Sequence, residues 1–260
     1  NIREPLTLNR YNYCVSSYLN YVDPSGNMGV RVLNQLYNEY SAGLISDEML
    51  TKMVIGLNGF DIDTAMHELA QIHAATSIGG MIYLEQKVKE IAELAFIEKC
   101  LIGNKEIDIA QYTARGIYVW EVASIGQSLR KKQKQIDAYI KATAPLTQAG
   151  YRINAVEDIH IIKDYYMMVY SDLLSAKGEI IRYSFYKKTK EGDKKEVKLK
   201  EVKAEIQLAI YQGEYKDIGY VIPTIFGDIK ICPSDPSRLF EHHSIPVWWP
   251  IPIPLPISLL

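Results

Sequence analysis

Cysteine is scarce: Cys14, Cys100 and Cys232 are the three in 260 residues. Odd in number and far apart, they exclude a disulfide framework and any Cys-x-x-Cys metal knuckle. Charge of one sign is lacking too. Lysine and arginine number 29 against 31 aspartates and glutamates, for a formal net charge of −2, so the global basic field usual in nucleic-acid binders is absent. No P-loop, dinucleotide glycine motif, Gly-x-Ser-x-Gly elbow or Cys/His nucleophile signature occurs. No signal peptide opens the chain, and the compartment is not readable from these residues. The most apolar stretch, Ile245 to Leu260, carries five prolines. It is too short and too poor in backbone donors for a membrane-spanning helix. An extended or polyproline-like tail is expected there, buried on this domain, on a partner or inside a larger shell.

What is present is ordinary globular material, 48% hydrophobic and 23% charged, enough for one large core or two smaller ones. From about Met28 to Ala176 the pattern reads as helical. Val32, Leu33, Leu36, Tyr37 and Tyr40 recur at three- and four-residue steps before Gly43. Ser46, followed by Asp47 and Glu48, opens a helix to about Leu57, and Asp61 or Asp63 caps another toward Ser77. After Gly79-Gly80 a stripe of Leu84, Val88, Ile91, Ala95 and Ile102 predicts a long helix ending at Gly103-Asn104. A further helix is expected from Asp108 to Lys141, stopped by Ala144-Pro145. Asn154 with Glu157 predicts a capping-box start to a last one, closing at Lys177-Gly178.

Beyond Gly178 the period drops to two. Ile181, Tyr183 and Phe185 form one strand, and a turn at Lys190 to Asp193 leads to a return strand that runs with a bulge from Val197 to Ile210. Shorter strands are expected around Ile218–Ile222 and Ile229–Ile231. The predicted fold class is therefore α+β: a mainly helical N-terminal two-thirds, then a small antiparallel sheet, then the extended proline-rich tail. The divisions fall at residues 27–178, 179–244 and 245–260.

Residues 1–26 carry a more specific signal. Glu4-Pro5-Leu6-Thr7-Leu8-Asn9-Arg10-Tyr11-Asn12-Tyr13-Cys14 and Asn20-Tyr21-Val22-Asp23-Pro24-Ser25-Gly26 resemble the closing segment of the core domain of RHS-repeat (YD-repeat) proteins. Ser16-Ser17-Tyr18 stands where that family has Asn-Asn-Pro. The resemblance implies a processing junction at Asp23, Pro24 and Gly26, and makes the rest of the chain a variable C-terminal module, often a toxin. It implies a secreted or delivered effector whose partners are the RHS core shell of the parent protein and a cognate immunity protein. An ADP-ribosyltransferase, another activity of such modules, would need a Ser-Thr-Ser strand and Glu-x-Glu, and neither occurs.

The most suggestive chemistry is His242-His243, in Phe240-Glu241-His242-His243-Ser244-Ile245-Pro246. The pair resembles the start of the HNH-type ββα-metal nuclease motif. There one histidine ligates a divalent metal and its neighbour takes a proton from the attacking water, which implies a nucleic-acid substrate. The helix that completes the motif, with its Asn and further His, has no counterpart in the tail. Either upstream residues such as Asp228, Asp235, His160 or Glu241 complete the site, or the pair is a polar turn. His242, Asp235 and Glu241 are the candidate metal ligands, and His242 and His243 the candidate catalytic pair.

His67 and His73 lie six apart rather than four, which turns one about 120° from the other on a helix, so they are read as surface or capping histidines. Arg130, Lys131, Lys132 and Lys134 read as partners of a helix-end dipole or a plain solvated face, although they could approach phosphates. The rival function is a non-catalytic helical binding or membrane-active module with a partner-docking tail.

Overall fold

The computed structural model describes residues 29–94, 105–189, 192–212, 214, 220–224 and 227–231. The RHS-like segment with Asp23, Pro24 and Gly26, the His242-His243 pair, Asp235, Glu241 and the proline-rich tail all lie outside the described residues.

Three helices come first, as their periodicity requires: α1 (Val30–Ser41), α2 (Asp47–Leu57) and α3 (Ile62–Ile78). The α2 cap is Ser46, whose hydroxyl accepts from Met49 N at 3.3 Å, and Asp61 caps α3 by accepting from Asp63 N at 3.1 Å. Each satisfies one of the backbone donors that a helix start leaves free. The helices bury Leu33, Leu36, Leu50, Met53, Ile55, Met66, Leu69 and Ile72 against the sheet in one core.

The expected division into helices first and a small antiparallel sheet second is overturned after Gly80. The chain instead forms β1 (Met81–Lys87), a short α4 (Val88–Leu94), β2 (Glu106–Thr113) and β3 (Gly116–Ser124), then α5 (Leu129–Thr143). There follow β4 (Thr147–Ala149), β5 (Val156–Ile162), β6 (Tyr165–Ser171), β7 (Ile180–Lys188), β8 (Lys194–Val197) and α6 (Leu199–Gln212). The hairpin of β9 (Tyr220–Thr224) and β10 (Gly227–Ile231) forms a separate two-stranded sheet. The main sheet is large, mixed and eight-stranded, curled into a half-barrel.

The physical reason is composition. Ile107, Ile109, Ile117, Tyr118, Val119, Trp120 and Val122 are β-branched or aromatic, types that fit a pleated surface better than a helix. A two-residue connection, Ala114-Arg115, folds β2 back on β3. Conversely, the stretch expected to be a bulged return strand is the helix α6. Its Val202, Ile206 and Ala209 are buried at four- and three-residue steps among Lys, Glu, Ala and Gln, all strong or fair helix formers.

Connectivity around β3 decides where the buried charged groups meet. β1, β2 and β3 form an antiparallel meander, and α5 carries the chain over to β4, which pairs parallel with residues 117–119 of β3. Along the same edge of β3, residues 121–124 pair parallel with β7. On the other edge the β2 pairing stops at Ile109↔Trp120, although β2 remains paired to β1 as far as Glu106. Beyond that point β2 and β3 part, opening a fork in the sheet. Trp120, fully buried at the parting, donates its indole N–H to Tyr151 O at 2.9 Å. Gly150 is required beside it, because a Cβ there would lie 2.2 Å from the Trp120 ring.

Candidate metal centre in the fork of the sheet

Charged side chains from five elements meet where β2 and β3 part. Asp108 (β2) and Glu121 (β3) would face one another had the ladder continued. Instead Asp108 Oδ2 accepts from Val122 N at 2.6 Å, taking over one backbone donor freed by the fork. Lys132, from the first turn of α5, spans the gap with Nζ 2.8 Å from Glu121 Oε2 and 3.4 Å from Asp108 Oδ2. From α3, His67 Nε2 approaches Asp108 Oδ2 to 3.7 Å. Gln71, one turn on, lies 3.2 Å from His67 Nε2 and donates to Glu85 Oε1 of β1.

Glu85 occupies an uncommon conformation, φ 51° in the middle of a strand. Its neighbours Leu84 and Gln86 keep register with Ile109 and Ile107, so Glu85 stands opposite Asp108. Left-handed backbone at a non-glycine residue costs about 1 kcal/mol or more, and like charges directly across a ladder destabilise it further. Both costs fall on one residue at the site.

The electrostatics follow from this crowding. Burial pushes the Glu85 carboxyl up to about 8, with the charge of Asp108 adding to the effect. Glu121 is pushed well above the carboxylate range by burial and again by Asp108. Burial also acts to raise Asp108, but His67, Lys132 and the Val122 N–H outweigh it and hold that carboxyl below its usual range. For His67 burial acts downward, and the charges of Asp108 and Glu85 reverse it to a net rise. Lys132 is likewise raised, its two carboxylates outweighing burial. Asp108 is therefore the anchored anion of the cluster, while Glu85 and Glu121 are carboxyls short of positive charge.

Two observations bear on what could supply that charge. Among the described residues, His67, Glu85 and Asp108 are the one group of three whose ligand atoms all lie within 4.8 Å of one another, close enough to share a metal ion. Glu121 Oε1 and Gln71 Oε1 are buried side-chain oxygens without a hydrogen-bond partner. Buried acceptors are rarely left unpaired, because desolvation costs about 1–3 kcal/mol each. Two carboxyls and one imidazole fit a hard or borderline divalent ion such as Mg²⁺ or Mn²⁺, the histidine favouring the latter.

The sequence-predicted residues that are among those described are placed as follows. His67 is not a surface or capping histidine but a member of this group, its side chain 24% exposed. His73, on the same helix, is buried at 2%, edge-on to Tyr40, and takes no part. His160 sits on β5 with Nε2 2.9 Å from Lys163 O and belongs to no metal-capable group among the described residues. Asp228 lies on β10 opposite Pro223. Lys132, expected on a solvated face, is drawn inward between two acids.

Glu85, Asp108, Glu121 and Gln71 are members that sequence reasoning missed. Their signal was present: Asp108 and Glu121 are single carboxylates inside Ile-Asp-Ile-Ala and Val-Trp-Glu-Val, runs that β-structure buries. A lone acid in such a run needs a partner.

Compared with known proteins, the chain matches no family model, no curated protein and no solved structure.

Proposed function

We propose that the fork is the active centre of a divalent-metal-dependent phosphodiesterase acting on nucleic acid, and that it is the effector activity of a toxin module of the RHS type. The observation that carries the reading is the convergence of His67, Glu85 and Asp108 on one ion-sized space. Beside it stand Glu121, with an unpartnered oxygen, and Lys132. A bound divalent ion would polarise a phosphoryl oxygen and lower the pKa of a water beside it. The protein's own groups have distinct parts in that chemistry. Asp108 and Glu85 hold negative charge toward the ion, and Gln71 orients Glu85 through its amide N–H. Lys132 is placed to neutralise charge building on the phosphoryl oxygens, as preorganised cations do at low dielectric. Glu121, held at Oε2 by Lys132 and free at Oε1, is placed to accept a proton from an attacking water.

This reading puts the chemistry at residues 67–132, whereas His242 and His243, where the sequence suggested it, lie outside the described residues. Among the described residues no helix is long and apolar enough to cross a membrane. Plasmid DNA and total RNA incubated with the full chain should be cleaved with Mg²⁺ or Mn²⁺ and left intact with EDTA. Asp108→Asn should lower the rate by about a hundredfold or more, and His242→Ala/His243→Ala should not. Loss in the histidine double variant with Asp108→Asn active would return the chemistry to the C-terminal pair. Liposome leakage with nucleic acid intact would favour the membrane-active alternative.

A further inference from the structure

The connection from β6 to β7 breaks a local rule. Turns favour Gly, Asn, Asp and Ser, whose backbone freedom or short polar side chains shape the turn. Between Asp172 and Ser175 the chain instead places Leu173 and Leu174, 78% and 82% exposed. Neither leucine is needed to make the turn. Asp172 Oδ1 accepts from Leu174 N at 2.8 Å, and Ser175 Oγ accepts from Gly178 N at 3.0 Å while donating to Glu179 Oε2 at 2.7 Å. The polar residues build the tip, and the leucines are only displayed on it.

A third aliphatic joins them. Ile125, in the connection from β3 to α5, is 59% exposed. Arg182 ties the two connections together, donating to Asp172 Oδ2 at 2.7 Å on one side and to Ser124 O and Gln127 O at 2.7 and 2.8 Å on the other. One guanidinium thus clamps the residue before Leu173 and the two residues that bracket Ile125, so the aliphatics stand on a fixed base. The charges beside them divide by burial. The acids are drawn in, Asp172 paired with Arg182 and Glu179 buried. The cations face water: Lys177 is exposed, and so is Arg152, whose backbone lies against Gly178.

We infer that this tip docks the protein on an anionic lipid bilayer: Leu173, Leu174 and Ile125 enter the acyl boundary while Arg152 and Lys177 stay among the head groups. Exposed aliphatics on a turn with cations at its base match the layered chemistry of a bilayer surface, apolar within and anionic at the rim. Adjacent leucines on a turn suit a fluid surface, because no complementary pocket has to be shaped for them. The bonds of Asp172, Ser175 and Arg182 hold the tip in place beforehand, which lowers the ordering cost of binding. The attachment is peripheral and reversible. It stands apart from the proposed phosphodiesterase and holds or fails without any reaction at the fork.

The test is co-sedimentation of the full chain in EDTA with sucrose-loaded vesicles, phosphatidylcholine alone against phosphatidylcholine mixed with phosphatidylglycerol. Wild type should sediment with the anionic vesicles and be released in part by salt. Leu173→Ser/Leu174→Ser should weaken binding on the order of a hundredfold, with thermal melts unchanged because both side chains already face water. Arg152→Ala/Lys177→Ala should weaken it about fivefold per cation removed. Leu173→Phe/Leu174→Phe should keep it, and Leu44→Ser, an exposed leucine between α1 and α2, should leave it unchanged. Loss of sedimentation in the serine variant supports the docking tip whether or not nucleic acid is cleaved. Wild type and serine variant behaving alike overturns it, whether both bind or neither does. Wild type that ignores vesicles yet self-associates through the leucines, as read by sedimentation velocity, gives the tip to a second copy of the chain and overturns it as well.

Discussion

Two buried polar networks flank the C-terminal end of β3, and they differ in one respect. In the first, Arg182 donates to Asp172 Oδ2 at 2.7 Å and to the carbonyls of Ser124 and Gln127 at 2.7 and 2.8 Å. Glu179 alongside accepts from Ser175 Oγ and Lys177 N. Its two carboxylates share one guanidinium, yet every buried side-chain donor and acceptor finds a partner. In the second, three carboxyls share one lysine and one histidine, and two buried oxygens have no partner. A closed network is architecture: by pinning Ser124 and Gln127, Arg182 fixes the turn from which α5 starts and so the approach of Lys132. An open network leaves acceptors that an ion or a water could satisfy, and the proposed centre rests on that difference.

The contrast can be broken most forcefully through Arg182. Arg182→Met leaves the partly buried Asp172 without its cation and the carbonyls of Ser124 and Gln127 without their donor, and should cost about 3 kcal/mol of unfolding free energy. That loss should be read in urea melts, with the metal response of the remaining folded protein intact. A stability close to wild type would mean the closed network is not structural.

A smaller and opposite effect is expected in the fork. Glu85→Gln removes a carboxylate facing Asp108, so the metal-free protein should be as stable as wild type or more so. Wild type should gain about 2.7 kcal/mol at an ion concentration a hundredfold above its dissociation constant, and the variant much less. Equal thermal shifts with Mn²⁺ in both proteins would show that Glu85 does not belong to the centre.

The finest distinction lies on the other side of α3. Glu68, buried and hydrogen-bonded by Asn58 Nδ2, is pushed up to about 8 by burial, while burial pulls His73 down to about 4. Because the folded-state pKa of Glu68 is raised, its contribution is fully present below about 4.5 and lost as pH rises through about 8. The folded-state pKa of His73 is depressed, so its contribution is present above about 6.5 and lost as pH falls through about 4. The two slopes oppose one another between about 4.5 and 6.5, and wild-type stability from this helix should vary little there. Glu68→Gln should unmask a rise with pH over that interval and remove the decline from 6.5 to 8, as followed by thermal melts across pH. A decline that persists in the variant would assign it elsewhere.

The helical half of the molecule was legible because its information is local. Leu33, Leu36 and Tyr37 repeat at helical steps, and Ser46 and Asp61 announce the starts of α2 and α3. The sheet from Met81 to Ser124 was not, since the stripe Leu84, Val88, Ile91 satisfies a helical period over a stretch where β1 passes directly into α4. Only the crowding of isoleucine, valine and aromatic residues after Asp108 argued for strands.

The site was less legible still. His67 stands out in the sequence only beside His73 on its own helix, whereas its neighbours in space come from β1 and β2. Side chains gathered by strand order leave no spacing to recognise. The lone acids in apolar runs, Asp108 and Glu121, were the available sign, and they make sense only once the runs are known to be strands.

The parting of β2 from β3 has one more consequence. The backbones carrying Asp108 and Glu121 are held apart because β3 pairs with β7 there while β2 stays with β1. Substitutions along β7 or β1 that alter twist would widen or narrow that jaw without altering any group inside it. If the fork is the proposed centre, lineages could thus retune the ion it prefers from the backs of the two flanking strands while every acid in the mouth stayed the same.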